Sequence, residues 1–366
     1  MSIENPFSPT FGNRPSQIIG REESIRLFSA GLQGRPGHPN RAMLFSGQRG
    51  MGKTALLLEL AALSERHDFI PVRVTANQRM LDNIIEKIQR LGAQFVSKKV
   101  KPVKSISAGA LGFSIGLTFS DEVQKNYGFN TKLALLCDEL AKHDKGILFL
   151  VDEVQSTSEE MRELACGYQE LVGDSANIAI AMAGLPTAIS SVLSDDVLTF
   201  LNRAYKVHLE MLSLNDISNY FHTTFKELGI SIDAKQTEQA AIATRGYPYL
   251  LQLIGFYLVE LARSDLKITS DTLELAINNS KRDMIENTFA PVLKPLSAKE
   301  REFIQAMSTD KAVSSISDLK ERLKATASHV QAYKTRLIEA EIIASPSRGQ
   351  LEFLIPYLGE HLRGEF

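Results

Sequence analysis

The chain has 366 residues, of which 44% are hydrophobic, 23% are charged and 7% are aromatic, with no tryptophan. This composition is typical of globular proteins and excludes the disordered, collagen-like and disulfide-rich classes, and the length predicts two or three domains. The formal net charge is −2, so no overall field draws the protein onto nucleic acid or membrane, and any such site must be local.

The first residues, MSIENPFSPT, contain no apolar region of the kind found in signal peptides. The longest apolar stretches are about 5–8 residues, far short of the roughly 20 that span a bilayer. Cys137 and Cys166 lack the spacing of metal ligands, which favours reduced thiols. We therefore expect a cytoplasmic protein without a membrane partner.

The first elements in chain order alternate between helix and strand. Apolar spacing predicts a short helix over residues 22–32, a buried strand over 42–46 that runs into a glycine-rich turn, a helix over 53–66, a strand over 69–76 and part of a helix over 83–91. This order is typical of a doubly wound α/β unit with a parallel sheet.

The next segment, about residues 96–120, has a different pattern. It opens with lysines and then alternates apolar and polar residues up to Phe119, which favours a β-hairpin insertion. A helix over 131–142 follows, and further buried strands are predicted over 146–151 and 178–183.

The remainder of the chain is predicted to be mostly helical. Residues 212–287 have helical patterning apart from Gly229 and the turn Gly246-Tyr247-Pro248, and the part after Pro295 has the order helix, helix, helix, strand, turn, strand. We predict an α/β core over residues 1–210, an all-α lid over 211–292 and a third domain over 293–366.

A glycine-rich loop follows the first strand and fits the pattern G-x-x-x-x-G-K-[ST] of phosphate-binding loops. Its residues are Gly47, Gln48, Arg49, Gly50, Met51, Gly52, Lys53 and Thr54. The glycines let backbone N–H groups point at phosphates, and the helix N-terminus adds positive potential. Lys53 is predicted to reach the β and γ phosphates, and the Thr54 hydroxyl to ligate Mg²⁺.

A second acidic motif ends the strand at residues 146–151. Asp152 directly follows this apolar run, and Glu153 comes next. An acid at this strand end can hold Mg²⁺ beside the phosphate loop, and a second carboxylate can polarise the attacking water as a general base. The two motifs together predict binding of ATP or ADP with Mg²⁺ and favour hydrolysis over binding alone.

These motifs resemble those of the AAA+/STAND group of P-loop ATPases, and especially the bacterial and archaeal ATP-binding proteins related to origin-recognition initiators. The resemblance covers nearly the whole chain. It implies that Ile19, Gly20 and Arg21 line the adenine pocket, and that the turn with Gly246 and Pro248 packs against the nucleotide.

Two further segments match the family less closely. The resemblance implies that Arg203 supplies positive charge to the γ-phosphate, either in its own subunit or in a neighbouring one. The sensor-1 turn carries Ala183 and Gly184 in place of a polar residue, and no arginine follows Pro248, for which Arg245 is a candidate substitute. Both departures indicate slow turnover, as in a switch whose oligomeric state could depend on nucleotide.

The C-terminal element order resembles a winged helix-turn-helix. In that fold the third helix enters the major groove of duplex DNA. Candidate DNA contacts are Ser328, His329, Gln331, Lys334, Arg336 and, at the wing, Arg348. The region 293–366 has eleven basic and ten acidic residues, so it is not a basic patch overall, and such modules also dock proteins.

Three functions therefore stay open. The first is an ATPase switch associated with DNA, the second is a signalling or defence ATPase whose winged helix binds a protein partner, and the third is a nucleotide-dependent scaffold without hydrolysis. Glu153 disfavours the third.

Overall fold

The computed structural model describes residues 4–10, 12–96, 113–155 and 157–366. It divides into two compact units, one formed by Gly20–Glu210 and one formed by Met211–Phe366 with the described part of Met1–Ile19. None of the helices in these described ranges is long and apolar enough to cross a membrane.

The unit Gly20–Glu210 is built on a parallel sheet. The strands of this unit are β1 (Ala42–Ser46), β2 (Phe69–Thr75), β3 (Phe113–Ile115), β4 (Thr118–Phe119), β5 (Gly146–Val154), β6 (Ile178–Gly184) and β7 (Tyr205–His208). Five of them form the sheet in the order β2-β5-β6-β1-β7, all parallel. Strand β6 is buried throughout and β5 at every residue but one, as expected for a sheet covered on both faces.

Helices surround this sheet and complete the predicted α/β architecture. They are α1 (Glu22–Gln33), α2 (Lys53–Glu65), α3 (Met80–Gly92), α4 (Asp121–Asn126), α5 (Phe129–Ala141), α6 (Glu159–Gly173) and α7 (Pro186–Leu193), with 3₁₀ segments at Pro39–Arg41 and Thr199–Arg203. The predicted hairpin at 96–120 is described only at its end, where β3 and β4 pair and the rings of Phe113 and Phe119 stack. Most of that prediction, residues 97–112, lies outside the described residues.

The other unit is mainly helical. Its helices are α8 (Leu214–Glu227), α9 (Ala234–Thr244), α10 (Pro248–Ala262), α11 (Ser270–Met284), α12 (Ala290–Leu293), α13 (Ala298–Ser308), α14 (Ile316–Arg322), α15 (Ala327–Glu339) and α16 (Leu358–Leu362), with a π-helical segment at Ile285–Phe289. Strands β8 (Val313–Ser315), β9 (Ile343–Ala344) and β10 (Gln350–Phe353) form an antiparallel sheet in the order β8-β10-β9.

The C-terminal elements follow the predicted order with two additions. Strand β8 lies between α13 and α14, and α16 follows β10. Both are too short to produce a periodic pattern in the sequence. A capping box is present at the start of α13, where Ser297 and Glu300 exchange hydrogen bonds.

The first residues do not belong to the α/β core, in contrast to the predicted boundary. Phe7 is 2% exposed and packs against the rings of Tyr220, Phe221 and Phe225 in α8. A Cβ atom at Gly255 would lie 2.3 Å from the Phe7 ring, so only glycine lets this ring approach α10. This aromatic packing places residues 4–10 and 12–19 with the helical unit.

Candidate functional site

The glycine-rich loop connects β1 to α2, as predicted. Gly50 and Gly52 have φ angles of +77° and +81°, a region in which glycine has no steric penalty. Gln48 and Arg49 are also in this loop, and Met51 is 3% exposed. The loop therefore has one buried apolar anchor, and its backbone turns sharply into the first turn of α2.

Lys53 is the first residue of α2 and folds back over the loop. Its Nζ donates to the carbonyl oxygens of Gly47 at 2.5 Å and Gln48 at 2.8 Å. The ammonium group thus lies beside the N-terminal N–H groups of a helix, whose dipole also favours negative charge. This geometry can bind phosphate.

Thr54 and Asp152 meet beside the loop. The Thr54 hydroxyl donates to Asp152 Oδ2 at 2.8 Å, and Asp152 Oδ1 accepts the Glu153 N–H at 2.9 Å. The Asp152 residue is 8% exposed. Hydroxyl and carboxylate oxygens are hard ligands of the type that Mg²⁺ prefers, with water and phosphate completing the coordination. This donor pair fits Mg²⁺.

Glu153 is the exposed residue of β5 and has an unusual backbone. Its φ angle is +54°, which is uncommon for a residue other than glycine. The pairing of β5 with β6 shifts register between Val151 and Val154, and such a bulge re-aims a side chain. Strain of this kind clusters at functional sites, which supports the predicted role of Glu153.

The end of β6 explains the unusual sensor-1 turn. Strand β6 lies between β1 and β5, and Gly184 pairs with both Ser46 and Val154. A Cβ atom at Gly184 would lie 2.6 Å from the Val154 carbonyl oxygen. No side chain fits at this position, so the missing polar group follows from close backbone packing.

His208 is a site residue that the sequence analysis did not identify. It is paired with Ser46, the residue just before the loop, and its Nδ1 lies 3.1 Å from the Ser46 Oγ. Because parallel strands end at one edge, His208 comes next to the phosphate loop. The pairing of β7 with β1 is a tertiary contact without a signal in the local sequence.

Arg203 lies at the opposite edge of the sheet. It is exposed and precedes β7, whose first residue, Tyr205, pairs with Met43 near the start of β1. At about 3.3 Å per residue, the length of β1 separates Arg203 from the loop by roughly 15 Å. This separation favours the alternative in which Arg203 acts on the nucleotide of a neighbouring subunit.

The predicted adenine-pocket residues are divided between the two units. Gly20 and Arg21 belong to the α/β unit, where the Arg21 guanidinium donates to the Glu210 carbonyl oxygen at 2.6 Å. Burial lowers the pKa of Arg21, opposed by the charges of Glu22 and Glu210. Ile19 belongs to the helical unit and packs against its core.

The predicted lid turn is well formed. Gly246 has a φ angle of +76°, and its Cβ position would lie 2.6 Å from the Leu212 carbonyl oxygen. Pro248 is the first residue of α10, where its missing N–H costs no hydrogen bond.

Arg245 is not a substitute for the missing lid arginine in this structure. Its guanidinium forms an ion pair with Glu360 of α16 and lies 3.9 Å from the centroid of the Tyr357 ring. The side chain is therefore engaged by the C-terminal region.

The candidate DNA contacts do not form one surface. Val330 and Leu337 mark the buried face of α15, so the helical period turns Ser328 and Gln331 away from the core. Both are exposed, as is Arg348 in the turn before β10.

The other three candidates are on the flanks of α15. Arg336 lies 3.7 Å from Glu300 of α13, and the exposed His329 lies near the Tyr333 ring. Lys334 is half-buried. The helical period thus spreads the candidates over the exposed face and both flanks of α15, and their contact with DNA stays a prediction.

Known proteins resemble this chain in two segments and in overall fold. Residues 17–180 match the family model described as AAA ATPase domain, and residues 286–362 match a domain of unknown function, DUF8462. No curated protein matches the chain in sequence.

Three solved structures are similar along almost the whole chain. A Walker-type ATPase of Pyrococcus abyssi has a TM-score of 0.64 at 16% identity, covering 96% of this chain and 97% of that one. The ORC2 protein of Aeropyrum pernix, solved as ADPNP–ADP complexes, has a TM-score of 0.66 at 14% identity, with coverages of 97% and 94%. Cdc6p from Pyrobaculum aerophilum has a TM-score of 0.51 at 16% identity, with coverages of 97% and 95%. At these identities the similarity shows a shared fold.

Proposed function

We propose, on the premise that the chain carries an AAA ATPase domain at residues 17–180, that the protein is a slow ATPase switch. The observation that carries this proposal is the hydrogen bond of 2.8 Å between Thr54 and Asp152, beside a loop over which Lys53 is folded. Cation, helix N-terminus, hydroxyl and carboxylate all lie at one edge of the sheet.

Each residue has a defined task in this proposal. Lys53 and the loop N–H groups bind the phosphates, Thr54 and Asp152 hold Mg²⁺, and Glu153 accepts a proton from the attacking water. The bound Mg²⁺ neutralises charge that develops on the phosphoryl oxygens. Because position 184 has no polar side chain to assist hydrolysis, we expect ATP turnover to be slow.

The direct test is steady-state ATP hydrolysis in the presence of Mg²⁺, with Lys53→Ala as the blank. Single-turnover hydrolysis by Glu153→Gln then separates binding from chemistry. Turnover above the blank that is lost in Glu153→Gln supports the proposal. Equal rates in the wild type and in Lys53→Ala refute the enzyme and leave a nucleotide-dependent scaffold.

We propose further that Arg203 acts on the nucleotide of a second copy of the chain. Its position at the far edge of the sheet, roughly 15 Å from the loop by strand length, supports this role, and we expect the activity per subunit to rise with protein concentration. A mixture of Arg203→Ala and Lys53→Ala chains should regain activity, because the second variant supplies Arg203 to the intact site of the first. If Arg203→Ala and Lys53→Ala are each inactive and their mixture is inactive too, the action of Arg203 on a second copy is excluded.

The C-terminal region carries the proposed association with duplex DNA. Helices α13 to α15 with the sheet β8-β10-β9 support a winged helix, in which Ser328 and Gln331 of α15 face outward. Arg348 is exposed at the position of the wing. Side chains on an exposed helix face and wing can reach base edges and phosphates.

A protein partner is the second candidate for this region. Arg322 is bound by Asp310 at 2.7 Å, and Arg336 lies near Glu300, so two of its cations are already paired. Duplex binding measured against salt concentration separates the two candidates, since each phosphate contact steepens the slope. Binding that weakens in Arg348→Ala but not in Lys299→Ala, an exposed cation of α13, supports DNA. Absence of salt-dependent binding favours the protein partner.

A further inference from the structure

The turn at residues 245–248 contains an arginine where the backbone favours glycine. Arg245 ends α9 with a φ angle of +52°, and Gly246 follows at +76°. A glycine at position 245 would adopt this conformation without steric cost. The backbone alone would favour glycine at position 245, so we look for the role of this residue in its arginine side chain.

That side chain is held by two residues of the C-terminal region. Glu360 pairs with the Arg245 guanidinium, whose central carbon lies 3.9 Å from the Tyr357 ring centroid. A planar guanidinium can stack on an aromatic face and bind a carboxylate at the same time, which a lysine ammonium cannot do equally well.

Tyr357 is also fixed to the backbone beside the turn. It is 8% exposed, and its hydroxyl donates to the Ala243 carbonyl oxygen at 2.7 Å. Its own φ angle is +68°, a second strained residue on the C-terminal side. Lys281 of α11 approaches the same ring, at 4.8 Å from its centroid.

The opposite side of the turn is bound to the start of the helical unit. The Gly246 carbonyl oxygen accepts the Leu212 N–H at 2.7 Å, and the Gly246 N–H donates to the Thr244 hydroxyl at 3.1 Å. Tyr247 is 3% exposed. The turn is thus held by backbone hydrogen bonding to Leu212 on one side and by side-chain contacts with Tyr357 and Glu360 on the other.

We infer that Arg245, Tyr357 and Glu360 are positioning residues, which we call the turn clamp, and that they hold the Gly246-Tyr247-Pro248 turn in the conformation that binds nucleotide. This inference rests on the proposed function and on the expectation, from the family resemblance, that this turn packs against the nucleotide. The C-terminal region thereby sets the affinity of the ATPase for its nucleotide, and a ligand that moves α16 would change it.

The test uses the full chain and two measurements. Hydrogen exchange of the amides at residues 244–248 without nucleotide reports on the turn, and the KM and kcat for ATP report on the site. The variants are Tyr357→Phe, which keeps the ring and removes the hydroxyl, and Arg245→Gly, which removes the side chain and keeps the backbone preference. Arg245→Lys is the conservative replacement, and Glu302→Gln, which breaks the exposed Lys299 ion pair, is the matched control.

The inference predicts faster exchange at 244–248 in Tyr357→Phe and Arg245→Gly. It predicts a KM raised roughly five- to tenfold, the lower range of coupling between sites, with kcat changed less than about twofold. Arg245→Lys should recover part of the KM, and Glu302→Gln should match the wild type in both measurements.

Two results would overturn it. Unchanged exchange in both clamp variants would show that the clamp does not hold the turn. Faster exchange with an unaltered KM would show that the turn does not serve the nucleotide, although the ATPase itself stands. A wild type without ATP turnover above Lys53→Ala would instead remove the proposed function, and the inference with it.

Discussion

The phosphate loop and the C-terminal region contain two kinds of candidate site, and they differ in how well the sequence predicts the arrangement of their residues. In the loop, Lys53 and Thr54 take their places from consecutive backbone positions. On α15, the predicted contacts point in several directions, and Arg336 lies beside Glu300. A site made by backbone geometry can be predicted from a motif. A site made by one face of a helix depends on how that helix is rotated and on which ion pairs form around it.

We expect the largest effect on activity from a substitution in the phosphate loop. Lys53→Ala should lower ATP turnover by about 100-fold or more, the typical loss for one preorganised donor to developing charge. The fold should survive, because the carbonyl oxygens of Gly47 and Gln48, which accept hydrogen bonds from Lys53, belong to the loop itself. Steady-state ATP hydrolysis measures the turnover and a thermal melt measures the stability, with the exposed Lys142→Ala as control. Turnover equal to that of the wild type would refute ATP hydrolysis at this loop.

Glu153 allows the backbone and the side chain to be tested separately. Glu153→Gly should raise the free energy of unfolding by up to about 1 kcal/mol, since the left-handed conformation costs a residue other than glycine about this much. The same variant should lose about 100-fold or more in hydrolysis, because the general base is gone. Urea unfolding and single-turnover assays measure the two effects. Loss of both stability and activity would contradict the strain argument.

Acid should weaken the C-terminal region. Hydrogen bonds from Ser297 lower the pKa of Glu300, and the hydrogen bond from Arg322 lowers the pKa of Asp310. A carboxyl group with a lowered folded-state pKa adds stability above its ordinary pKa, near 4, and loses it as the pH falls through the folded value. Urea midpoints should therefore drop below about pH 4.5.

The Glu300→Gln variant provides the comparison for this pH dependence. It should start with lower stability at pH 7 and lose less of it on acidification, because one of the titrating groups has been removed. Parallel pH curves for the variant and the wild type would show that Glu300 contributes nothing to the acid response.

The smallest effect is expected on the flank of α15. Arg336→Ala should change duplex DNA affinity by less than about twofold, because the guanidinium lies on the flank of α15 beside the carboxylate of Glu300, whose negative charge disfavours a phosphate there. Arg348→Ala should weaken binding more, by roughly 1 unit of salt slope per lost phosphate contact. Fluorescence anisotropy at several salt concentrations measures both. A larger effect for Arg336 than for Arg348 would reverse the assignment of the surface.

The sheet and its helices were largely predictable because long apolar runs have few structural alternatives. The strands predicted at 146–151 and 178–183 appear as Gly146–Val154 and Ile178–Gly184. The small errors are at their ends, where hydrogen-bond pairing with neighbours extends a strand beyond its apolar residues. The short elements β8 and α16 escaped prediction for the opposite reason, since three to five residues carry no period.

Local spacing was enough to identify the phosphate loop, its acidic partners and an α/β core, because backbone angles at Gly50 and Gly52 and a buried strand before Asp152 follow from neighbouring residues. The positions of His208, Arg203 and Arg245 could not be obtained in this way. Each depends on a partner far along the chain: the register of β7 on β1 for the first two, and Glu360 for the third. Long-range packing, which a local pattern does not encode, selects those partners.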